Sequence, residues 1–276
     1  VSADLPTAQE NATWNLQNGE DYSPDIFYQP SVSAKFFNSK VTFEIPLSFT
    51  ERQVKESFSN KSQLNGFLSM LTTSVENAMT IKLDALIMRT INNMIGETIA
   101  NDLTVDGAIV PTGTGVKAVN LLKLYNDEYG TTLEKAKALS TPDFIRFATY
   151  QIGLYKDRIS KISTLFNVGG KERFTSNEYL NTVLLSDFEK ASAVFLKADI
   201  QNVENIALPK HDTVPYWQGS GVAYAFPDVS AIDVKTSSGV TVKIDGVIGV
   251  MFDRDAIGVS NLDKRVTTNY NPKAEF

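Results

Sequence analysis

Residues Asn60 to Asp102 constrain this chain more than any other stretch, because they read as one uninterrupted helix around which the rest must be arranged. Asn60-Lys61-Ser62-Gln63 is a capping-box-like opening: the Asn60 side chain accepts from an orphan N–H, and Gln63 reaches back. Leu64, Leu68, Leu71, Val75 and Ala78 then recur at alternating spacings of four and three, which places them on one face. From Ile81 the pattern broadens. Ile81, Leu83, Leu86, Ile87, Met88, Ile91, Met94 and Ile95 point in every direction, which predicts cover on more than one side. No proline interrupts the run. At about 1.5 Å per residue the helix spans roughly 60 Å, well beyond the radius of an ordinary compact domain. The expectation is that a neighbouring subunit covers part of its apolar surface.

Composition narrows what such a helix can belong to. The 276 residues are 42% hydrophobic and 21% charged, enough for one or two domains with real cores and too apolar for a disordered chain. Cysteine is absent, which removes disulfides, thiolate catalysis and Cys-based zinc sites, and fits a reducing compartment. A net charge of −6 with mixed signs argues against a general nucleic-acid binder. No run of eighteen apolar residues is present to span a membrane. The chain starts at Val1 and shows nothing like a signal peptide, so residues upstream are expected to be removed or to lie outside this sequence.

Ahead of the helix, residues 1–30 are polar and turn-rich, with Trp14, Tyr22, Phe27 and Tyr28 as isolated anchors and Asn18-Gly19 as a turn signal. Val41, Phe43, Ile45, Leu47 and Phe49 alternate with polar residues and Pro46, which predicts a strand with one apolar face, at an edge because proline lacks a ladder donor. Polar segment, strand and long helix together suggest a projecting arm. Behind the helix, Val105-Asp106-Gly107 and Pro111-Thr112-Gly113-Thr114-Gly115 mark a change of unit. Helices are predicted over Ala118–Tyr129, ended by Gly130, over Leu133–Leu139, and from Thr141-Pro142-Asp143 to about Ile159. A further helix is predicted from Ser176-Asn177-Glu178 to about Leu196. The last third reads as a three-strand meander, with Ile232 and Val234 in the first strand, Val240, Val242 and Ile244 in the second and Val247–Phe252 as the third; Arg265–Tyr270 forms one strand more.

The chain offers little to catalysis. His211, the single histidine, is the one candidate for a His-based triad, and between Pro209, Lys210 and Asp212 it reads as a solvated loop residue. Gly113-Thr114-Gly115 lacks the third glycine of a dinucleotide fingerprint. Val168-Gly169-Gly170-Lys171-Glu172 lacks the first glycine and the hydroxyl residue of a phosphate loop, so both are read as turn glycines. Asp253 and Asp255, on one face of a strand, have the pattern of a hard-cation site or an acid/base pair. The expected reading is structural, with Arg254 pairing to carboxylates and competing with any cation for them. No catalytic, metal or cofactor residue is therefore assigned, and the chain is read as not being an enzyme.

The order polar arm, alternating strand, long helix, helical unit and β meander resembles the major capsid proteins of tailed bacteriophages, which have the Hong Kong 97 fold. Two passages carry most of that resemblance: Pro215-Tyr216-Trp217-Gln218-Gly219-Ser220-Gly221, and the C-terminal stretch running from Val247-Ile248-Gly249-Val250-Met251-Phe252-Asp253-Arg254-Asp255 to Asn271-Pro272. The resemblance implies an α+β chain with a long spine helix, an extended E-loop, and peripheral and axial domains. Residues 1–58 would form the E-loop arm and strand, 59–112 the peripheral domain with the spine helix, 113–260 the axial domain, and 261–276 a return to the peripheral domain. In the family an N-terminal arm precedes the E-loop and more strand follows the return, so parts at both ends would lie beyond Val1 and Phe276. The implied function is self-assembly, as hexamers and pentamers, into the icosahedral shell of a virion. Scaffold, portal and decoration proteins would be partners, DNA an enclosed cargo and the host bacterial cytoplasm the place of assembly. Two other readings stay open. An encapsulin-like compartment uses the same kind of subunit, and a monomeric surface-binding or adhesion module would use exposed aromatics such as Trp14 and Trp217.

Overall fold

A computed structural model describes residues 2–3, 18–19, 32–33, 43–50, 52, 55, 60–106, 108–166, 172–198, 208–218 and 224–260. The chain divides into two units, Val1–Thr50 and Glu51–Phe276. In the first, strands β1 (Ser2–Ala3) and β2 (Val32–Ser33) pair antiparallel, Ser2 opposite Ser33 and Ala3 opposite Val32. Asn18-Gly19 forms the expected turn, Gly19 at a φ of 102°. Residues 43–50 are not a strand: they have no ladder partner among the described residues, and Phe43, Leu47 and Phe49 are exposed. Alternation marks a chain able to lie on a sheet, but a strand exists only where a second strand takes up its hydrogen bonds, and Pro46 has already removed one of its donors.

The second unit is built on helix α1, Lys61–Asp102. Its N-cap is Asn60, whose Oδ1 accepts from the Gln63 N–H at 2.9 Å, as the opening tetrapeptide predicts. Thr72, Thr80, Thr90 and Thr98 each donate a hydroxyl to the carbonyl four residues back, so these β-branched residues satisfy themselves inside the helix. After Leu103 the chain turns through a two-stranded hairpin, β3 (Thr104–Val105) with β4 (Ala108–Ile109), in which Asp106 takes a positive φ of 51°.

Helices α2 (Leu121–Tyr129), α3 (Lys135–Ala138) and α4 (Pro142–Ile159) follow close to their predicted places. Gly130 ends α2 in the left-handed conformation, at a φ of 61°. The predicted helix from Ser176 is corrected. Leu180–Leu185 is strand β5, and only Ser186–Ala198 is helix, α5. β5 is the middle strand of a sheet, parallel to β6 (Asp212–Val214) and antiparallel to β9 (Gly249–Asp253). The meander is corrected too. After the short helix α6 (Phe226–Val229), β7 (Ile232–Lys235) and β8 (Thr241–Ile244) form the expected hairpin, but β9 leaves them for β5, turning at Asp245-Gly246. Gly249 enters that ladder where a Cβ would lie 2.5 Å from a Leu184 methyl, so β9 approaches β5 too closely for a side chain there. The proposed strand Arg265–Tyr270 lies outside the described residues.

β5 divides the interior. Val183 and Leu185 join a core with Ile91, Ile95 and Ile99 of α1, Ile232 and Val234 of β7, Val242 of β8 and Trp217. Leu184, on the opposite face, joins Phe188 of α5, Tyr125 of α2 and Phe144, Ile145 and Phe147 of α4. In that second core Tyr125 meets Phe144 and Phe147 edge-on, with centroids 5.6 and 5.5 Å apart.

Candidate functional site

The residues predicted as possible chemistry are each engaged locally. Asp253 ends β9; its Oδ2 accepts from the Thr175 hydroxyl at 2.8 Å and its Oδ1 from the Asp255 N–H at 2.8 Å. Asp255 stands in the following turn rather than on the strand face, so the two carboxylates are not the side-by-side pair that strand spacing predicts. Arg254 lies 3.8 Å from Asp255 and 5.0 Å from the Tyr179 ring centroid, and both charged side chains are mostly exposed. The pairing of Arg254 to a carboxylate is therefore long and at the surface. His211 Nδ1 lies 2.6 Å from the Pro209 carbonyl oxygen, in the segment leading into β6. Among the described residues no three His, Cys, Asp or Glu side chains are grouped to hold a metal ion, and no helix is long and apolar enough to cross a membrane.

Gly115 is a turn glycine with a specific reason: a Cβ there would stand 2.0 Å from an Asp102 carboxylate oxygen. The loop folds over that carboxylate, and its Oδ2 accepts from the N–H groups of Lys117 and Ala118 at 2.7 and 2.8 Å. Gly169, Gly170 and Lys171 lie outside the described residues.

Trp217 is corrected from exposed to buried, at 2% exposure, which removes it as a ligand platform. Its Nε1–H donates to the Val247 carbonyl at 2.8 Å, its N–H to the Val229 carbonyl at 3.1 Å, and its own carbonyl accepts from Asn92 of α1 at 2.7 Å. Next to it, the Gln218 side-chain amide both donates to and accepts from the Asp233 backbone, as a neighbouring strand would. Trp217, from the first of the two passages behind the resemblance, is thus a keystone of the core. Trp14 lies outside the described residues.

What stays unoccupied is the surface of α1. Ile91, Asn92, Ile95, Gly96 and Ile99 are buried against the body, but from Ile81 onward full burial begins only at Ile91, with Met88 packed partly against the same core. Upstream, Met70 is 60% exposed and Ile81 67%, and Leu68 and Ile87 are exposed as well. The two apolar stretches also face differently. Ile91 follows Leu64 by about 27 residues, roughly 7.5 turns, which sets it about half a turn round the axis from the Leu64 stripe. Leu64, Leu71, Val75 and Ala78 of that stripe are half-buried, whereas Met70 and Ile81, at about 100° per residue, fall on the same side of the helix as Ile95 and Ile99 but upstream of the part the body covers. Large apolar side chains in this number on an exposed helix mark a contact surface.

Two signals of this arrangement are missed in the sequence. Gly96 interrupts an isoleucine-rich helical run at a cost of about 1 kcal/mol relative to alanine, a sign of close approach. Val234 fills that space: its Cγ2 lies 2.2 Å from where a Gly96 Cβ would be. Asp102, an acid in the last turn where the helix dipole disfavours it, signals a dedicated partner.

No curated protein matches the chain. The model of the Phi29-like phage major capsid proteins matches residues 1–276, and the chain therefore belongs to that family of shell-forming phage capsid subunits.

Proposed function

We propose that residues 61–90 of α1, the stem, are a contact arm through which copies of this chain join into the capsid shell. The observation that carries this is the exposure of Met70 and Ile81, at 60% and 67%, on a helix whose last third is locked into the body. In this reading the subunit has the Hong Kong 97-type fold. α1 is the spine of a peripheral domain at 59–112, residues 113–260 form the axial domain, 1–58 the arm carrying the E-loop, and 261–276 return to the periphery. The mixed helix and sheet of the chain and the single long helix at its centre support that assignment. The copies form hexameric and pentameric rings in an icosahedral shell, closed symmetry being the usual way identical subunits bury a shared surface. Assembly takes place in the host cytoplasm, with scaffold and portal proteins engaged during building, decoration proteins added outside and DNA enclosed as cargo. The subunit does no catalysis, and Asp253, Arg254 and Asp255 shape a strand end.

The test is a Met70→Glu, Ile81→Glu double variant of the full chain. The expected result is a subunit with unchanged circular dichroism that forms no shells by electron microscopy under conditions in which the unchanged chain does. Normal shells from this variant would remove the stem from the interface.

A further inference from the structure

We propose that Asp102 is a positioning residue that sets the direction of the α1 stem, and with it the curvature of the shell. This rests on the reading of the stem as a contact arm.

The last third of α1 is held at separate points by polar side chains bonding to the backbone of the body. Asn92 donates to the Trp217 carbonyl, the Glu97 carboxylate accepts from the Ser237 N–H, and the Asp102 carboxylate accepts from Lys117 and Ala118. Between the first and the last of these, Gly96 lies against Val234 with no space for a side chain, so the helix rests there on a fixed steric support. Beyond Ile91 toward the N-terminus, α1 has no buried residue.

A rigid rod held in this way is a lever. From Gly96 to Asp102 is about 9 Å along the axis and from Gly96 back to Lys61 about 52 Å; with Asn92 as pivot the arms are about 15 and 46 Å. The tip therefore moves roughly three to six times as far as the Asp102 end. One extra methylene at Asp102, about 1.5 Å, displaces the tip by roughly 4–9 Å, on the order of one helical turn of 5.4 Å. A shift of one turn is enough to change which side-chain ridges meet which grooves on a neighbour, because packed interfaces have discrete registers.

The clasp is built to hold one length. Both N–H groups converge on a single oxygen, Oδ2, and Gly115 leaves the carboxylate no clearance on the loop side. Asp102→Glu keeps the charge and the acceptors and changes the length. Asp102→Asn keeps the length and one acceptor oxygen. Gly115→Ala expels the carboxylate without touching it chemically.

The experiment assembles full-length chains carrying each change and measures particle diameter by electron microscopy, alongside the thermal midpoint of the unassembled subunit. Asp102→Glu and Gly115→Ala are expected to give shells with a shifted mean diameter or a broadened distribution, and Asp102→Asn the unchanged diameter. A purely structural clasp would lower the midpoint and leave the diameter alone, and that result overturns the proposal. So does a diameter shift in Asp102→Asn as large as in Asp102→Glu. If the longer and the crowded variants do not fold, Asp102→Ala removes the constraint without crowding, and unchanged shells from it refute the idea equally. Failure of the contact-arm reading is separate, since it shows as normal shells from the Met70→Glu, Ile81→Glu chain.

Discussion

Alanine at Gly96 and alanine at Gly153 should change stability in opposite directions, although both glycines lie inside long helices. Replacing a helix-interior glycine by alanine gains about 0.8–1 kcal/mol, because alanine has less backbone freedom to lose on folding. At Gly153, in α4, the added Cβ meets nothing within 4 Å, so that gain is expected in full. At Gly96 the Cβ would stand 2.2 Å from Val234 Cγ2, more than an ångström inside an ordinary contact, and the atom it meets belongs to a buried branched side chain on β7. Overpacking of this kind costs about 1–3 kcal/mol, so the net change runs from about zero to 2 kcal/mol of destabilisation. In a chain of this size each kcal/mol moves the thermal midpoint by about 2–4 °C. Urea and thermal unfolding of unassembled subunits measure both variants. Val234→Ala supplies the control: it should cost stability in the parent and much less beside Gly96→Ala, a coupling of about 1 kcal/mol or more in a double-mutant cycle. If Gly96→Ala stabilises as much as Gly153→Ala, or if the cycle shows no coupling, α1 does not rest on β7 in the way described.

Trp217→Phe should lower the urea midpoint by the equivalent of about 1–3 kcal/mol, because the Val247 carbonyl loses its indole donor inside the core; an unchanged midpoint would contradict the keystone role. Arg254→Ala should shift stability by no more than about 0.5 kcal/mol, since its pair with Asp255 is long and exposed. A loss of several kcal/mol in the same unfolding experiment would show that Arg254 serves a buried partner instead of the exposed Asp255.

The parts legible in the sequence are those whose physics is local. α1 announces itself through a cap, a stripe and the absence of proline, and α4 through Thr141-Pro142-Asp143, all readable within a turn or two. β5 is hidden for the opposite reason. Thr182–Leu185 is buried, with Val183 and Leu185 in one core and Leu184 in the other, so it has no polar alternation to reveal a strand, and Ser176-Asn177-Glu178 ahead of it looks like a helix start. Its neighbours β6 and β9 are far along the chain, and nothing near β9 says that it will abandon β8. Residues 43–49 fail the other way, with an ideal period and no ladder partner among the described residues. For the candidate contact surface, the excess of apolar residues on α1 is visible in the sequence, but the point at which the body stops covering them depends on how far β7 and Trp217 reach along the helix. Burial of Trp217 is likewise set by partners at Asn92, Val229 and Val247, none of them adjacent in sequence.

The division of α1 into a gripped third and an exposed stem follows from the two-faced strand behind it. Val183 and Leu185 close one core and Leu184 the other, so displacing β5 to make room on either side opens both. Close-packed interiors do not yield gradually, and a strand shared by two of them yields least. The body therefore has no soft side that could swing over to shelter Met70 or Ile81, which lie upstream of the isoleucines it does cover. Retraction of the stem would require bending a helix whose hydrogen bonds are complete and which contains no proline at which to kink. Association with another copy covers the same side chains without deforming either the body or the rod. An exposed apolar helix is costly for a subunit that stays alone; for one that assembles, it is the part of the fold whose burial is left to the shell.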